Sequence, residues 1–270
     1  MITLPEAFEQ EMKQLLGEEE YEAYRKTFDE AVHRGLRVNN GKISTEEFLR
    51  RTDIPLKKVP WIPNGFYYDE ESCNPAKDAD YYAGLYYLQE PSAMTPASRL
   101  PIEPDDRVLD LCAAPGGKAT ELGSRIGEGG MLLANDISNS RAKALLRNLE
   151  IQGVGRLLVT SEDPEKLVTL YPAFFDKILL DAPCSGEGMF RKESSMLRYY
   201  SENGPEHYVP IQKKLIEQAY QMLAEGGELL YSTCTFSVKE NEEVIAGLLD
   251  VHPDMSLMSI CSMSSKFGDK

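Results

Sequence analysis

The sequence predicts an α/β protein with a parallel sheet, preceded by a smaller α+β appendage. Between residues 107 and 251, short apolar runs alternate with segments in which apolar residues recur at helical spacing. Such a succession of βα units builds a parallel sheet that helices cover on both faces. The chain before residue 81 lacks this alternation and combines helical stripes with short runs of strand character. We therefore expect an α+β domain over residues 1–80 and an α/β domain over residues 81–270.

The appendage is expected to begin with a pair of helical segments. Their apolar stripe, which a glycine at position 17 interrupts, consists of Phe8, Met12, Leu15, Leu16, Tyr21, Tyr24 and Phe28. Short strands are predicted at residues 36–38 and 65–68. Between them, Ser44 and Glu47 form a capping-box pattern, which indicates the start of a helix.

The α/β domain is expected to contain at least five parallel strands. They are the apolar runs at residues 107–111, 131–134, 157–160, 177–180 and 228–231. One helix, with Pro91 in its first turn, is predicted to end near residue 100. Further helices are predicted at residues 120–126, 138–152, 212–224 and 239–251, and residues 255–258 are a candidate sixth strand. Because ligands of open α/β sheets bind outside the carboxyl ends of the strands, the residues after each strand are the candidates for a site.

Charge and composition restrict the classes of function. The formal net charge of −15 counts against a nucleic-acid partner, although bases outnumber acids between residues 34 and 58. That local excess fits either a phosphate-binding patch or an ordinary solvated surface. The five cysteines and three histidines are dispersed, so we expect neither a disulfide framework nor a metal site. The sequence contains no membrane span and no secretory signal, which predicts a cytoplasmic protein.

A glycine turn follows the first predicted strand. Its residues are Cys112, Ala113, Ala114, Pro115, Gly116, Gly117 and Lys118. Small residues and paired glycines let a ligand approach the backbone closely. The turn matches neither the G-x-x-x-x-G-K-[ST] pattern of a phosphate loop nor the G-x-G-x-x-G pattern of a dinucleotide site. Its pattern alone leaves a ligand-binding loop and an ordinary turn equally open.

Carboxylates lie at or near the ends of three further strands, at Asp136, Asp163 and Asp181. In Rossmann-like sheets, an acid at the tip of the second strand, about 20 residues beyond the glycine turn, binds the ribose hydroxyls. The alternatives are an N-cap for Asp136, for which Ser138 is also available, and a loop carboxylate for Asp163. Together, the three acids favour a nucleoside-type ligand.

Two cysteines follow the fourth and fifth predicted strands. Cys184 lies in D-A-P-C-S-G-E-G-M-F (181–190), and Cys234 lies in Y-S-T-C-T-F (231–236). They would follow neighbouring strands if the strand order reverses beside the first strand. A single buried cysteine is usually inert packing, whereas a pair at strand ends indicates chemistry.

These motifs together resemble those of the RNA cytosine-5 methyltransferases of the Sun or nucleolar-protein family. The resemblance rests on C-A-A-P-G-G-K (112–118) and the two cysteine motifs, with Q-E-P-S (89–92) before them and E-N-E (240–242) after them. The run G-E-G-M-F-R-K (186–192) places the chain nearest the bacterial branch that acts on small-subunit ribosomal RNA. The resemblance covers roughly residues 30–250.

The resemblance implies a Rossmann-like sheet that uses S-adenosylmethionine. Residues 112–118 would form the cofactor loop, Asp136 would hold the ribose, and Asp163 would hold the adenine. Asp181 would lie beside the methionine end of the cofactor and the target base. Arg141 matches a family arginine, for which we expect a structural role.

The same resemblance assigns the chemistry to two thiols and one carboxylate. Cys234 would be the nucleophile that attacks carbon 6 of cytosine, and Cys184 would help to release the product. Asp181, if protonated, would donate to the ring nitrogen. The base must leave any stack, so single-stranded or flipped RNA is the expected partner. The candidate RNA contacts in the appendage are Arg34, Arg37, Lys57 and Lys58 for phosphates and Trp61, Tyr67 and Tyr68 for stacking.

The sequence departs from the family pattern near its C-terminal end. The last strand of the family's sheet, rich in Gly-Phe-Phe, and the C-terminal RNA-binding module of the related bacterial enzymes have no counterpart here. We therefore expect a C-terminally truncated catalytic domain that lacks the last strand and is weakly active. Three alternatives stay open: a cofactor-binding but inactive RNA-binding or ribosome-assembly protein, a transfer-RNA cytosine-5 methyltransferase, and a methyltransferase for small molecules or proteins.

Overall fold

The structure is a computed structural model in which residues 3–193 and 195–260 are described. These residues form two compact units. The first unit comprises the chain up to residue 32 together with residues 182–214 and 233–255. The second comprises residues 33–181, 215–232 and the chain from residue 256. The domain boundary at residue 80 and the missing last strand stay predictions, and Cys261 lies outside the described residues.

The helices and strands of the described residues are numbered along the chain. The helices are α1 (Glu6–Lys26), α2 (Thr45–Arg51), α3 (Ala79–Tyr82), α4 (Thr95–Arg99), α5 (Gly117–Gly123), α6 (Asn139–Gln152), α7 (Pro164–Leu170), α8 (Ser195–Glu202), α9 (Pro205–Met222) and α10 (Glu242–Val251). The strands are β1 (Arg34–Val38), β2 (Lys57–Lys58), β3 (Gly65–Tyr68), β4 (Tyr86–Leu88), β5 (Arg107–Asp110), β6 (Met131–Asn135), β7 (Leu157–Thr160), β8 (Phe175–Asp181) and β9 (Leu223–Ser232). No helix among the described residues is long and apolar enough to cross a membrane.

The second unit begins with an antiparallel sheet in the order β2-β3-β1-β4. The strands predicted at residues 36–38 and 65–68 are confirmed as β1 and β3. The predicted capping box is confirmed at the start of α2, because Ser44 Oγ accepts a hydrogen bond from the backbone N–H of Glu47 at 3.2 Å. The inner side chains of this sheet form an apolar core around Leu36, Phe48 and Tyr86, which are fully buried.

The same unit contains the predicted parallel sheet, whose described strands have the order β7-β6-β5-β8-β9. All neighbouring strands in it are parallel. Val108, Leu109 and Leu179 have no exposed surface, so the central strands of this sheet are buried. The strand order reverses at β5, which lies between β6 and β8. A reversal of this kind opens a crevice at the carboxyl ends of the two flanking strands.

Most predicted elements of this part of the chain are confirmed, and two predictions are wrong. Residues 255–258 form no strand, since Leu257 and Met258 are 75% and 68% exposed and no strand of the described residues pairs with them. The helix predicted to start around Pro91 begins later, at Thr95, because Tyr86–Leu88 pairs with β1 as a strand and a single 3₁₀ turn separates the two elements.

The first unit packs α1 against residues that lie far along the chain. Phe8 is fully buried, and the centroid of its ring lies 5.0 Å from that of Phe190 and 6.2 Å from that of Tyr200. The predicted interruption at Gly17 is confirmed, because this residue has a φ of 78°, a conformation that glycine adopts without steric cost. The prediction that Leu15 belongs to the apolar stripe is wrong, since its side chain is 50% exposed.

Candidate active site

The second unit contains a cavity of about 240 Å³ at the carboxyl ends of β5 and β8. Residues 112–115, 117 and 118 of the glycine turn line it, together with the last residue of each strand, Asp110 and Asp181. Tyr87, Gln89 and neighbouring residues form another part of the wall. The structure thus brings the predicted loop and one predicted strand-end acid together around one space.

The glycine turn is held in place by side chains of α6. Arg141 Nη2 donates to the carbonyl oxygen of Ala114 at 2.8 Å, and Asn148 Nδ2 donates to that of Pro115 at 2.7 Å. Gly116 has a φ of 115°, and a Cβ on Gly117 would lie 2.9 Å from the Gln89 amide. Glycine is therefore favoured at position 116 by its backbone conformation, whereas a side chain at position 117 would have to displace the Gln89 amide.

Asp110 lines the cavity and has no exposed surface. Neither of its carboxylate oxygens accepts a well-aligned hydrogen bond from the described residues. The pKa of Asp110 is raised to about 8, first by burial and second by the negative charge of Asp181, while Lys118 opposes the shift. Sequence reasoning did not select Asp110, although it ends a strand in the same way as Asp181.

Asp181 forms an ion pair inside the cavity wall. Its Oδ2 lies 2.5 Å from Lys118 Nζ, and its Oδ1 accepts a hydrogen bond from the Ser232 hydroxyl at 2.7 Å. Both carboxylate oxygens thus already accept from donors of the chain. The geometry therefore gives no support to proton donation by Asp181.

The other two predicted acids do not line this cavity. Asp136 is 2% exposed, lies 3.3 Å from Arg141 and accepts a hydrogen bond from the backbone N–H of Ser138 at 3.0 Å. The Ser138 side chain makes no capping bond, so the capping role considered for it is wrong. Asp163 is exposed and caps α7 by accepting from the backbone N–H of Glu165 at 2.9 Å. The roles predicted for both acids stay predictions.

Cys112 contributes an uncharged wall to the cavity. Burial raises the pKa of this thiol above its ordinary value, and the negative charges of Asp110, Asp136 and Asp181 raise it further. The thiol therefore keeps its proton at neutral pH, and Cys112 is a poor nucleophile.

The first unit contains the other two predicted cysteines, whose sulfur atoms lie 3.1 Å apart. Cys184 is buried and Cys234 is exposed. The backbone N–H of Cys234 also points at the sulfur of Cys184, at 3.3 Å. The pKa of Cys184 is raised, first because its thiol is hydrogen-bonded to Cys234 and second because it is buried. The Cys184 thiol therefore keeps its proton at neutral pH.

One of the predicted phosphate contacts is wrong. Arg37 is only 2% exposed, because it enters a buried ion pair with Glu121 at 2.8 Å and donates to the carbonyl oxygen of Gly117 at 2.7 Å. Burial lowers the pKa of Arg37, and the charge of Glu121 opposes that effect. Arg34 is half exposed and pairs with Glu70 at 2.8 Å. Trp61 packs in an apolar cluster and donates to Thr95 at 3.1 Å, as expected of a structural anchor.

Comparison with known families places the chain among ribosomal-RNA methyltransferases. A family model described as 16S rRNA methyltransferase RsmB/F matches residues 97–269, and a model of the N-terminal domain of 16S rRNA methyltransferase RsmF matches residues 4–91. The chain is 38% identical to the ribosomal RNA small subunit methyltransferase F of Erwinia tasmaniensis and 35% identical to that of Escherichia coli O157:H7. Both matches extend over 262 residues and cover 94% of this chain and 55% of the relative. The chain therefore spans about half the length of these curated relatives.

A solved structure agrees with this result. The methyltransferase homolog protein from Pyrococcus horikoshii is 31% identical and superposes with a TM-score of 0.78, over 91% of this chain and 78% of that one. The predicted methyltransferase-type α/β fold is thereby confirmed. The motif resemblance is confirmed as well, and the chain belongs to the 16S rRNA methyltransferase RsmB/F family.

Proposed function

We propose that this chain methylates carbon 5 of a cytosine in small-subunit ribosomal RNA, with S-adenosylmethionine as methyl donor and a covalent cysteine adduct as intermediate. Family membership supports ribosomal RNA as the substrate. The observation that carries the cytosine-5 chemistry is the pair of thiols 3.1 Å apart, one buried and one exposed. Methyl transfer to oxygen or to an exocyclic nitrogen has no use for such a pair.

The cavity of the second unit fits a cationic cofactor. S-adenosylmethionine carries an ammonium group and a sulfonium centre, and it supplies an electrophilic methyl group when bound. Asp110 offers a fully buried carboxylate whose oxygens are not engaged by the described residues, which suits a positively charged group. We assign residues 112–118 and Asp181 to the same cofactor site. Asp136 and Asp163 are assigned to the ribose and the adenine by family resemblance.

The thiols divide the remaining chemistry. Carbon 5 of cytosine is a poor nucleophile, and addition of the Cys234 thiolate to carbon 6 makes carbon 5 electron-rich. Cys184, whose pKa is raised, remains a protonated thiol beside that sulfur. After methylation, solvent water takes the proton on carbon 5, the electrons of that bond restore the double bond between carbons 5 and 6, and the Cys234 sulfur leaves carbon 6 as a thiolate. We assign to Cys184 the assistance of this release, because its thiol is hydrogen-bonded to the departing sulfur.

RNA is expected to present the target base unstacked, since a thiol must reach carbon 6. Lys57 and Lys58 are exposed on β2 and remain the proposed phosphate contacts, together with Arg34. The stacking roles of Tyr67 and Tyr68 are proposals as well.

Trapping of the covalent adduct tests this function. The chain is incubated with S-adenosylmethionine and small-subunit ribosomal RNA that contains 5-azacytidine, and adducts are separated on denaturing gels. We expect an adduct with the wild type, none with Cys234→Ser, and a wild-type amount with the matched control Cys73→Ser. With ordinary RNA, Cys184→Ser should accumulate an adduct that the wild type releases.

Three outcomes of these experiments separate the alternatives. An adduct that persists in Cys234→Ser would refute the assignment of the nucleophile. Cofactor binding without adduct or methyl transfer would instead indicate an RNA-binding or assembly protein. Preference for transfer RNA over ribosomal RNA in the same assay would identify a transfer-RNA enzyme.

A further inference from the structure

A buried carboxylate holds the loop that carries Cys184. Glu240 Oε2 accepts a hydrogen bond from the backbone N–H of Ser185 at 3.0 Å, and Glu240 Oε1 accepts one from the Ser185 hydroxyl. Ser185 directly follows Cys184, and neither Ser185 nor Glu240 has exposed surface. Hydrogen bonds to a charged group in such a site are strong because water does not compete for them.

The other side of the same loop is tied to the same carboxylate. Gln212 of α9 donates from Nε2 to the carbonyl oxygen of Pro183 at 2.9 Å and to Glu240 Oε2 at 2.8 Å. Gln212 is also fully buried. The backbone is therefore fixed both before and after Cys184, and Glu240 is the common partner.

The next residue, Asn241, holds the loop that carries Cys234. Its Oδ1 accepts a hydrogen bond from the Thr233 hydroxyl at 2.7 Å, and its Nδ2 donates to the carbonyl oxygens of Thr235 at 3.2 Å and Ser237 at 3.0 Å. One acceptor and two donors of the amide are thus used, which defines the orientation of the side chain. The residues on both sides of Cys234 depend on this one amide.

The two loops also contact each other directly, since the hydroxyl oxygens of Ser185 and Thr235 lie 2.9 Å apart. We propose that Glu240 and Asn241 are positioning residues that set the distance and alignment of the two thiols. The loops that carry Cys184 and Cys234 are hydrogen-bonded to Glu240 and Asn241, which are adjacent in the chain. A shift of that segment would therefore move both loops together. This role deepens the proposed function and rests on it for its catalytic meaning.

Misplacement of a reacting group by about 1 Å can lower a rate by about 100-fold. Loss of either positioning residue should therefore lower kcat. The affinity for S-adenosylmethionine should not change, because no residue of this hydrogen-bond network lines the cavity of the second unit. The expected signature is a reduced kcat with an unchanged Kd for the cofactor.

The relative position of the thiols can be measured without RNA or cofactor. In glutathione buffers, formation of the bond between the two sulfur atoms releases two protons and two electrons, which reduce one oxidised glutathione to two reduced molecules. The equilibrium constant of this exchange reports how well the chain holds the thiols together. Peptide mapping by mass spectrometry quantifies the linked peptides that contain Cys184 and Cys234.

Substitutions that keep the size of the side chain change one hydrogen-bonding group of Glu240 or Asn241 at a time. Glu240→Gln replaces one acceptor oxygen with a donor, and Asn241→Asp places a carboxylate oxygen against two carbonyl groups. We expect each to lower the equilibrium constant about tenfold and kcat by at least as much. Glu242→Gln, an exposed neighbour in the first turn of α10, is the matched control and should stay within twofold of the wild type.

The outcomes separate this inference from the proposed function. An equilibrium constant within twofold of the wild type, or above it, for Glu240→Gln or Asn241→Asp overturns the positioning role of that residue. A lowered constant in a chain whose wild type transfers no methyl group supports the positioning role and refutes the proposed function. If a variant does not fold by circular dichroism, Ser185→Ala decides, since it removes the hydroxyl contacts with Thr235 and Glu240 and leaves the backbone hydrogen bond to Glu240 in place. A constant within twofold of the wild type would overturn the inference.

Discussion

Replacing Asp110 with asparagine should make the chain more stable at alkaline pH. In the folded chain, burial and the charge of Asp181 raise the pKa of Asp110 from its ordinary value of 3.8 to about 8. Between about pH 4 and pH 8, the folded chain therefore holds a proton at Asp110 that the unfolded chain has released. Because the folded state binds more protons in this window, the free energy of unfolding falls as pH rises through it.

The size of this effect follows from the two pKa values. A difference of one pH unit corresponds to about 1.4 kcal/mol, so the change from 3.8 to about 8 amounts to a loss on the order of 6 kcal/mol across the window. Asparagine at position 110 is neutral at every pH and has no such loss. We expect the variant to match the wild type near pH 3.5, below both pKa values of Asp110, and to exceed it by several kcal/mol near pH 8.5.

Urea unfolding at several pH values measures the difference, with the fluorescence of Trp61, the chain's single tryptophan, as the signal. Asp105→Asn is the matched control, because Asp105 is exposed and lies in the turn before β5. Its pH profile should follow that of the wild type. Parallel profiles for the wild type and Asp110→Asn would refute the claim that a buried, unengaged carboxylate opposes folding here.

Three further predictions concern stability. Phe8→Ala should lower the free energy of unfolding, measured with urea, by about 3–5 kcal/mol because Phe8 is fully buried among aromatic rings. Leu15→Ala on the same helix should lower it by less than about 0.5 kcal/mol because Leu15 is half exposed. Arg37→Ala should lower the free energy of unfolding by about 3–5 kcal/mol because it removes the cation that pairs with the buried carboxylate of Glu121. Arg34→Ala, which breaks an exposed pair with Glu70, should lower it by about 1 kcal/mol or less. Equal losses for the two variants would contradict this assignment. Ser44→Ala should cost about 1 kcal/mol through the lost N-cap, and Ser44→Thr, measured beside it by thermal unfolding, should retain most of that energy.

The centre of the parallel sheet was predictable because β5, β6 and β8 are largely buried. Buried strands of a parallel sheet are mainly apolar, and the apolar runs in the sequence marked these strands. The ends of the strands were less predictable. β8 begins at Phe175 and β9 at Leu223, since their pairing continues past the apolar runs through a register shift near Phe175. Only backbone hydrogen bonds extend these strands beyond the apolar runs, and the spacing of apolar residues in the sequence does not reveal such bonds.

Polar residues were harder to place, because their environment depends on partners far along the chain. Arg37 is charged, as surface residues commonly are. It is nevertheless buried, and the carboxylate of Glu121, 2.8 Å away, balances its charge inside the protein. Leu15 shares the helical spacing of Phe8, but no distant segment covers it. Periodicity describes which face of an element is apolar and contains no information on what packs against that face.

Several acidic residues lie at or near the end of a strand, and the hydrogen bonds they make distinguish them from one another. Asp110, Asp163 and Asp181 all lie at or near the end of a strand, but Asp163 caps α7 and Asp181 pairs with Lys118. Only for Asp110, among these three, does the structure describe a buried carboxylate whose oxygens lack well-aligned donors. A buried carboxylate in that state is costly to ionise, and a cation entering the cavity removes the cost. The position of an acidic residue at a strand end therefore makes it a candidate for a ligand site. The hydrogen bonds and ion pairs that it already makes determine whether it is available for a positively charged ligand.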